Sequence, residues 1–310
     1  MKRLLYDTPG LRIETARDSV PALRFEKHGD TGFEVHVTGH VKNWDELQQE
    51  IPEVDQLTRV LQTDPSGQAR FTADFVRARR DDRMRIDIDA KPTESVFGRD
   101  DRPYLRAQAG TPKTIIAELV HDRHAGRISL EKLSATLGDS TFELTGEAAA
   151  QPALGNAAGP LGPIERAISV LPTLRLNAKV ASRDAQQLRR VLPCLDRYAG
   201  LERLTGPVEL TAGIDPEGRC SRVYTTALLP AESSLYWGDL IAKSPGVPLR
   251  MQAEFRMPWT DAGRLSLAVA ELQYGQARAE LVTGRTGFEY RLGFQEHART
   301  GRIECAGAEA

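Results

Sequence analysis

The chain is poor in cysteine and in aromatic residues. Its 310 residues include three cysteines, Cys194, Cys220 and Cys305, and no Cys-x-x-Cys pair. An odd number without that spacing predicts neither a disulfide framework nor a thiolate metal site. Aromatic residues make up 6% of the chain and apolar residues 40%. This composition supports a hydrophobic core, but a lean one.

Long apolar runs and an excess of one charge are also missing. No run of about 18 apolar residues occurs, and the first residues contain no apolar stretch of signal-peptide length. The formal net charge of −2, from 41 basic and 43 acidic residues, is not that of a general nucleic-acid-binding protein. We therefore expect a soluble chain without a nucleic-acid partner, which could also be one piece of a longer exported protein.

Motifs for catalysis or metal binding are absent as well. His121 and His124 form a His-x-x-His pair, but their segment is typical of a strand running into a turn, not of a metal-binding helix. The sequence contains no Gly-x-Ser-x-Gly, Walker or Gly-x-Gly-x-x-Gly motif. We expect no enzyme activity, no cofactor and no metal, since a hydrolase would need a convergent polar cluster and the sequence shows none.

The sequence repeats itself in three blocks that occur in the same order. DELQQEIPEVDQL matches QQLRRVLPCLDRY at an offset of 141, so that Leu47 meets Leu188 and Pro52 meets Pro193. GQARFTADF matches GPVELTAGI at an offset of 139, and AGRISLEKL matches AGRLSLAVA at an offset of 137. Three collinear matches favour a duplication of a unit of about 140 residues, which exceeds the period of small solenoids.

Apolar and polar residues alternate strictly over most of each unit. A period of two with one polar face predicts half-buried strands of an antiparallel sheet. The alternating apolar positions are Phe33, Val35 and Val37; Phe71, Ala73 and Phe75; Met84, Ile86 and Ile88; Leu174, Leu176, Ala178 and Val180; Leu249, Met251, Ala253, Phe255 and Met257; and Phe288, Tyr290, Leu292 and Phe294.

One helical segment interrupts each unit. Leucines and other apolar residues recur at three-to-four spacing after Asn43, a candidate N-cap, and again from Leu188. Pro52 and Pro193 fall inside these patterns and predict a kink or two short helices. We expect Trp44 to pack the first helix onto the sheet.

The predicted organisation leaves apolar sheet faces to be covered. We expect partial strands in residues 1–32, a first unit at 33–150, a linker rich in Ala, Gly and Pro at 151–172, and a second unit at 173–310. Two kinked helices cannot cover a dozen or more half-apolar strands. The faces must either pack against each other or line an open groove that something apolar fills.

Two phrases resemble the bacterial AsmA-like family. LPCLDRYAGLERLTGPVELTAGIDPEG has the family's order of leucine-rich helix, glycine and alternating strand. AGRISLEKLSATLGDSTFELTGEA has its order of strand, Gly-Asp turn and strand. The resemblance covers roughly residues 30 to 285 and rests on patterned leucines and glycines. It implies a mainly β fold, a long twisted antiparallel sheet that forms a repeating β-groove, with one short kinked helix per repeat.

The resemblance also implies a place and a ligand. Family members stand in the periplasm of the cell envelope as inner-membrane-anchored proteins, and they are thought to carry phospholipids along an apolar groove or to aid outer-membrane assembly. This chain departs from the pattern because it shows no N-terminal anchor. The expected partners are a phospholipid or another acyl-chain lipid and, with it, envelope proteins.

The groove would be lined by apolar strand positions, which contribute apolar contact and no chemistry. We expect this role for Val35, Val37, Phe71, Phe75, Ile86, Ile88, Ile128, Leu130, Leu174, Leu176, Leu210, Ile214, Met251, Phe255, Leu265 and Leu267. The alternative is a non-catalytic β-rich scaffold, whose apolar faces close on each other and which binds partner proteins through its sheet edges.

Overall fold

The chain divides into two compact units, Met1–Thr145 with Gln186–Ala199, and Gly146–Ala185 with Gly200–Ala310. The computed structural model describes residues 4–15, 33–60, 63–78, 80–90, 94–99, 102–107, 111, 113–149, 171–193, 203–237, 241–259, 266–283, 287–294 and 297–304. Leu265, Cys194, Cys305 and residues 151–170 of the predicted linker lie outside the described residues.

Up to residue 149 the chain alternates strands with one helical interruption. The strands are β1 (Leu4–Asp7), β2 (Leu11–Thr15), β3 (Phe33–Val41), β4 (Thr63–Ser66), β5 (Ala69–Arg77), β6 (Asp81–Asp89), β7 (Glu94–Arg99), β8 (Arg102–Ala107), β9 (Lys113–Asp122), β10 (Arg127–Leu137) and β11 (Ser140–Ala149). The helices α1 (Trp44–Glu50) and α2 (Pro52–Val60) follow β3.

From residue 171 the same kinds of element follow in a similar order. A short 3₁₀ turn, Leu171–Thr173, precedes β12 (Arg175–Ser182), and helix α3 (Ala185–Val191) follows that strand. The remaining strands are β13 (Val208–Glu217), β14 (Cys220–Leu229), β15 (Leu235–Trp237), β16 (Ile241–Lys243), β17 (Leu249–Pro258), β18 (Ser266–Tyr274), β19 (Ala277–Thr283), β20 (Gly287–Phe294) and β21 (His297–Glu304).

The prediction of a mainly β protein with a long antiparallel sheet is confirmed. In the first half of the chain the sheet order is β1-β2-β3-β5-β6-β9-β10-β11, and β4-β7-β8 form a small separate sheet. In the second half the order is β12-β13-β14-β17-β18-β19-β20-β21, and β15 and β16 form a hairpin of their own. Every strand pairing with a described register is antiparallel, as alternation with one polar face predicts.

The first helical segment shows how local sequence shapes the chain. The side-chain oxygen of Asn43 accepts hydrogen bonds from the N–H groups of Asp45 (2.9 Å) and Glu46 (3.5 Å), which confirms the predicted N-cap. Ile51 adopts extended backbone, because a following proline disfavours the helical conformation. Pro52 then starts α2, where its missing N–H costs no hydrogen bond. The segment is therefore two short helices.

Glycine closes the tight turn after β10 and the corresponding turn after β18. Gly138 has a φ of 61° and Gly275 a φ of 57°, a left-handed conformation that two-residue hairpin turns require. The two glycines keep the offset of the sequence match that precedes them. Helices α1 and α3, each of seven residues, likewise keep the offset that aligns Leu47 with Leu188.

The same break in strand register occurs in both halves of the chain. Between β9 and β10, Leu130 lies opposite Leu119 and the next pair is Lys132 with Glu118, so Glu131 is an extra residue. Between β17 and β18 the extra residue is Ala268, which is the match of Glu131 at the offset of the two glycine turns. Such a bulge shifts the alternation by one residue. It keeps apolar residues before and after it on the same face of the sheet.

A cluster of buried apolar residues of the first unit packs around α1. Leu11, Val41, Leu47, Ala69 and Ala90 form this cluster. Trp44, Ile51, Val54, Ile13, Phe71 and Ile88 pack against it, so the expected position of Trp44 on the sheet is confirmed. The helices thus cover one end of the strands, which we call the near end. The turns β5–β6 and β9–β10 form the opposite, far end.

Candidate functional site

One face of the first unit's sheet is apolar along most of the strand length, and we call it the apolar face. Its side chains lie opposite each other in rows that cross β3, β5, β6, β9 and β10. The row nearest the far end is Val35, Phe75, Met84, Leu119 and Leu130. The next is Val37, Ala73, Ile86, Ala117 and Leu133, and the third is Gly39, Phe71, Ile88, Ile115 and Ala135.

Burial along this face falls from the near end to the far end. Val41 and Ala69, beneath α1, keep 4% and 2% of their surface exposed. All fifteen members of the three rows are half-buried, and Ile128, still nearer the far end, is 41% exposed. Aligned apolar rows that keep access to solvent can bury a long apolar molecule.

The register brings the predicted lining residues of the first unit onto this face. Val35, Val37, Phe71, Phe75, Ile86, Ile88, Leu130 and Ile128 all belong to it. Met84, Ile115, Ala117, Leu119 and Leu133 belong to it equally and were missing from the prediction. The change of phase between Leu130 and Leu133 in the sequence was the signal for the bulge that places Leu133 there.

The second unit has a corresponding apolar face. Its far row, next to the turn between β13 and β14, is Leu176, Ile214, Val223, Phe255 and Leu267. A row nearer the opposite ends of these strands contains Val180, Leu210, Ala227, Met251 and Leu272. These residues are half-buried, whereas Val208, Leu229 and Leu249 in the last row are almost fully buried. Leu174 stands just before β12 and is half-buried. The register thus brings Leu176, Leu210, Ile214, Met251, Phe255 and Leu267 onto one face.

At the far end of the first unit the apolar face gives way to charged side chains. Asp82, with 16% of its side chain exposed, lies 3.4 Å from Nε of Arg77 and 3.4 Å from Nε of Arg123. His121 Nδ1 is 3.8 Å from the other carboxylate oxygen. Arg77, Asp82 and His121 lie two residues beyond the far row on their strands, so they are on the same side of the sheet as the apolar residues. The ion cluster is therefore an extension of the apolar face.

The second unit places neutral groups at the same end. Ser221, fully buried, corresponds to Asp82, and its Oγ accepts a hydrogen bond of 3.0 Å from Nε1 of Trp259. Pro216 and Met257 are its neighbours in register. Trp259 stands where the first unit has Arg123: its N–H donates to the Arg219 carbonyl, and that of Arg123 donates to the Arg80 carbonyl.

The opposite face of the first unit carries a row of alternating charge. His36, Asp74, Arg85, Glu118 and Lys132 lie opposite one another in that order. His36 contacts Asp74 Oδ1 through Nδ1 (2.5 Å) and Glu34 Oε1 through Nε2 (2.7 Å). Both contacts raise the pKa of His36 above its usual value, and the contact with Asp74 has the larger effect. Desolvation of the imidazole opposes this shift.

A cavity of about 740 Å³ also lies on this polar face. Cations and anions both line it, including Arg12, Glu14, Arg70 and Asp89. Arg12 donates two hydrogen bonds to Glu14, of 2.9 and 2.7 Å. The mixed charges favour no single class of ligand, so this cavity does not identify a site.

A buried lysine in the second unit was not anticipated from the sequence. Lys243 has no exposed surface, and its Nζ donates to the carbonyls of Ser233 and Ala231. Desolvation lowers the pKa of Lys243, and Glu232 opposes the shift. Both carbonyls belong to the loop before β15, so the lysine fixes that loop to β16.

Within the described part of the chain, no three His, Cys, Asp or Glu side chains are arranged to hold a metal ion. Nor does any described helix have the length and apolar composition that crossing a membrane requires. Cys220 is a half-buried thiol that donates to the Glu217 carbonyl at 3.2 Å. Comparisons of the chain with protein-family models, characterised proteins and solved structures return no match.

Proposed function

We propose that the chain is a lipid-binding segment of a periplasmic cell-envelope protein of the AsmA-like kind, built from two duplicated units that each present an apolar sheet face as part of a repeating groove. The acyl chains of a phospholipid would lie along the apolar rows, for transport between membranes or in support of outer-membrane assembly. The role of the lining residues is apolar contact, without catalysis.

The observation that carries this proposal is the set of half-buried apolar rows. From Ala69 to Phe75, β5 extends about 20 Å along the strand. One leaflet of a bilayer offers an acyl chain about 15 Å of hydrocarbon. Each buried methylene contributes about 0.8 kcal/mol without any directional bond, so a chain can be held and still slide.

The recurrence of the elements supports the duplication. The bulges at Glu131 and Ala268, the turns at Gly138 and Gly275 and the two seven-residue helices keep the offsets found in the sequence matches. A bulge is a specific irregularity of the strand pairing, so its recurrence at matched positions favours a common origin of the two units. Each of the two units would therefore offer a corresponding apolar face to a ligand.

The test compares two neighbours on β9 that point to opposite faces. Leu119 lies on the apolar face, between Met84 and Leu130 in the far row. Val120 lies on the polar face, opposite Arg83. Both are half-buried. The full chain, Leu119→Asp and Val120→Asp are incubated with phospholipid vesicles, separated from them, and analysed for bound lipid by native mass spectrometry.

We expect the unaltered chain and Val120→Asp to carry phospholipid, and Leu119→Asp to carry at least about tenfold less, because it places a charge among acyl chains. Circular dichroism and thermal denaturation establish that each variant is folded. A folded chain that carries no lipid would contradict the proposal. It would favour the scaffold that binds proteins through its sheet edges.

A further inference from the structure

The two far ends differ in charge although they share the same backbone arrangement. The described residues of 77–82 and 121–127, the two far-end turns of the first unit, contain four arginines and three aspartates. The described residues that correspond to them in the second unit, 216–221 and 257–259, contain one arginine and one glutamate. With histidines uncharged, the described part of the first far end has a net charge of +1 and that of the second a net charge of zero.

The positive charge lies where the apolar rows of the first unit end. Arg77 lies two residues after Phe75 on β5, on the same side of the sheet, and it is opposite Asp82 of β6. About 41% of the Arg77 side chain and 33% of the Arg123 side chain are exposed, and Nη2 of Arg123 also donates to the Ala78 carbonyl. Asp82 forms ion pairs with both arginines and neutralises one positive charge, so an excess positive charge remains.

We propose that this far end binds the phosphate headgroup of an anionic phospholipid, with Arg77 and Arg123 as the headgroup-binding residues. The inference rests on the proposed function, because it requires acyl chains on the apolar rows. Guanidinium groups match phosphate oxygens with paired hydrogen bonds. A zwitterionic headgroup adds a cation, which the net positive charge repels, so the site discriminates between lipids by headgroup charge.

The second unit serves as an internal contrast. Trp259 and Ser221 occupy the positions of Arg123 and Asp82, and their hydrogen bond satisfies both polar atoms. No excess charge remains there for a headgroup. The second unit therefore offers apolar contact alone, and the selection by headgroup belongs to the first unit.

The experiment measures which lipid the full chain takes up. The chain is incubated with phosphatidylcholine vesicles containing a trace of fluorescent phosphatidylglycerol or, separately, fluorescent phosphatidylcholine, and bound label is quantified after the vesicles are removed. We expect about fivefold preference for phosphatidylglycerol, the size of effect that partly exposed ion pairs produce. The double variant Arg77→Gln/Arg123→Gln should lose the preference and keep its phosphatidylcholine binding.

Two control variants separate charge from structure. Arg70→Gln removes an exposed arginine from the polar face of the same strand and should leave the preference unchanged. Arg77→Lys/Arg123→Lys keeps the charge and should retain most of the preference. Thermal denaturation establishes that all variants are folded.

The outcomes distinguish this inference from the function on which it rests. Uptake of neither lipid would overturn both. Equal uptake of the two lipids, or equal loss of both in the glutamine variant, would overturn the headgroup assignment and leave lipid binding standing. Competition by inorganic phosphate at the affinity of the lipid would identify a small-anion site and would also overturn it.

Discussion

The polar faces of the two units differ far more than their apolar faces do. In the first unit the row of His36, Asp74, Arg85, Glu118 and Lys132 alternates in charge across five strands. The corresponding row of the second unit is Asn177, Gly213, Tyr224, Glu254 and Val269. There the ring of Tyr224 covers Gly213, so closely that a Cβ on that glycine would lie 2.2 Å from it.

This difference shows which features the fold needs. Either a charge row or an aromatic ring over glycine can join neighbouring strands on the solvent side. Both apolar faces, in contrast, contain rows of medium and large apolar side chains, such as Phe75 and Met84 in the first unit and Val223 and Phe255 in the second. The row between those of Leu176 and Val180 in the second unit is smaller, and it consists of Ala178, Ala212, Thr225, Ala253 and Ala270. The two units therefore share the apolar rows, and they differ in the number and arrangement of their charged side chains. Four predictions test this comparison, in order of decreasing effect.

The largest effect should come from deletions on either side of the bulge. Deleting Glu131 removes only the extra residue, so Lys132 still faces Glu118 and Leu133 stays on the apolar face. Deleting Ser134 either moves the following residues to the opposite face or removes the bulge and places Lys132 among apolar residues. We expect a loss of about 1 kcal/mol or less for the first deletion and of several kcal/mol for the second.

Urea denaturation followed by circular dichroism measures both deletions. Equal destabilisation by the two would show that the bulge residue has a role beyond preserving the phase of the strand.

The second prediction compares the two helices. Leu47 in α1 and Leu188 in α3 are matched positions of the repeat, and they are 4% and 1% exposed. Leu47→Ala and Leu188→Ala should each lower the free energy of unfolding by about 2–5 kcal/mol, because each leaves a cavity. Thermal or urea denaturation measures this. A loss below about 1 kcal/mol in only one of them would mean that the two helices do not have the same structural role.

The third prediction concerns the two far ends. A double-mutant cycle on Asp82→Asn and Arg123→Gln should give a coupling of about 0.5–1 kcal/mol, which decreases from about 0.01 M to about 1 M salt. The cycle on Ser221→Ala and Trp259→Phe should give about 1 kcal/mol, independent of salt, because a neutral hydrogen bond is not screened. Salt-independent coupling in the first unit would contradict the assignment of an ion pair.

The smallest effect is the pH dependence due to His36. Its pKa in the folded chain is raised above 6.5, so its stabilisation is complete below about pH 6.5 and is lost as the pH rises through the folded value. His36→Gln should remove this dependence, with a change below about 1 kcal/mol because the group is partly exposed. Thermal denaturation from about pH 5 to about pH 8 tests it.

His40→Gln is the matched control on the same face of β3. If the pH dependence of the stability persists in His36→Gln, another titratable group causes it.

The local features of the fold were readable from the sequence because short-range physics decides them. Alternation identified β3, β5, β6, β12 and β17, and Asn43 and Pro52 gave the start and the division of the helical segment. The small sheet β4-β7-β8 and the hairpin β15-β16 were not anticipated, since short strands carry too few residues to show a period. Likewise, no pattern indicated that Lys243 would be buried.

What the sequence alone determined is the class of structure: antiparallel strands with one apolar side, because period two and the polarity of each residue are properties of the chain itself. Which side chains meet was decided by tertiary structure. Asp82, Arg77, His121 and Arg123 come from three segments, and only the pairing of β5, β6 and β9 brings them together at the end of the apolar rows. Register is set by the sum of many long-range contacts, and a charged residue in a turn gives no sign of its partner across the sheet.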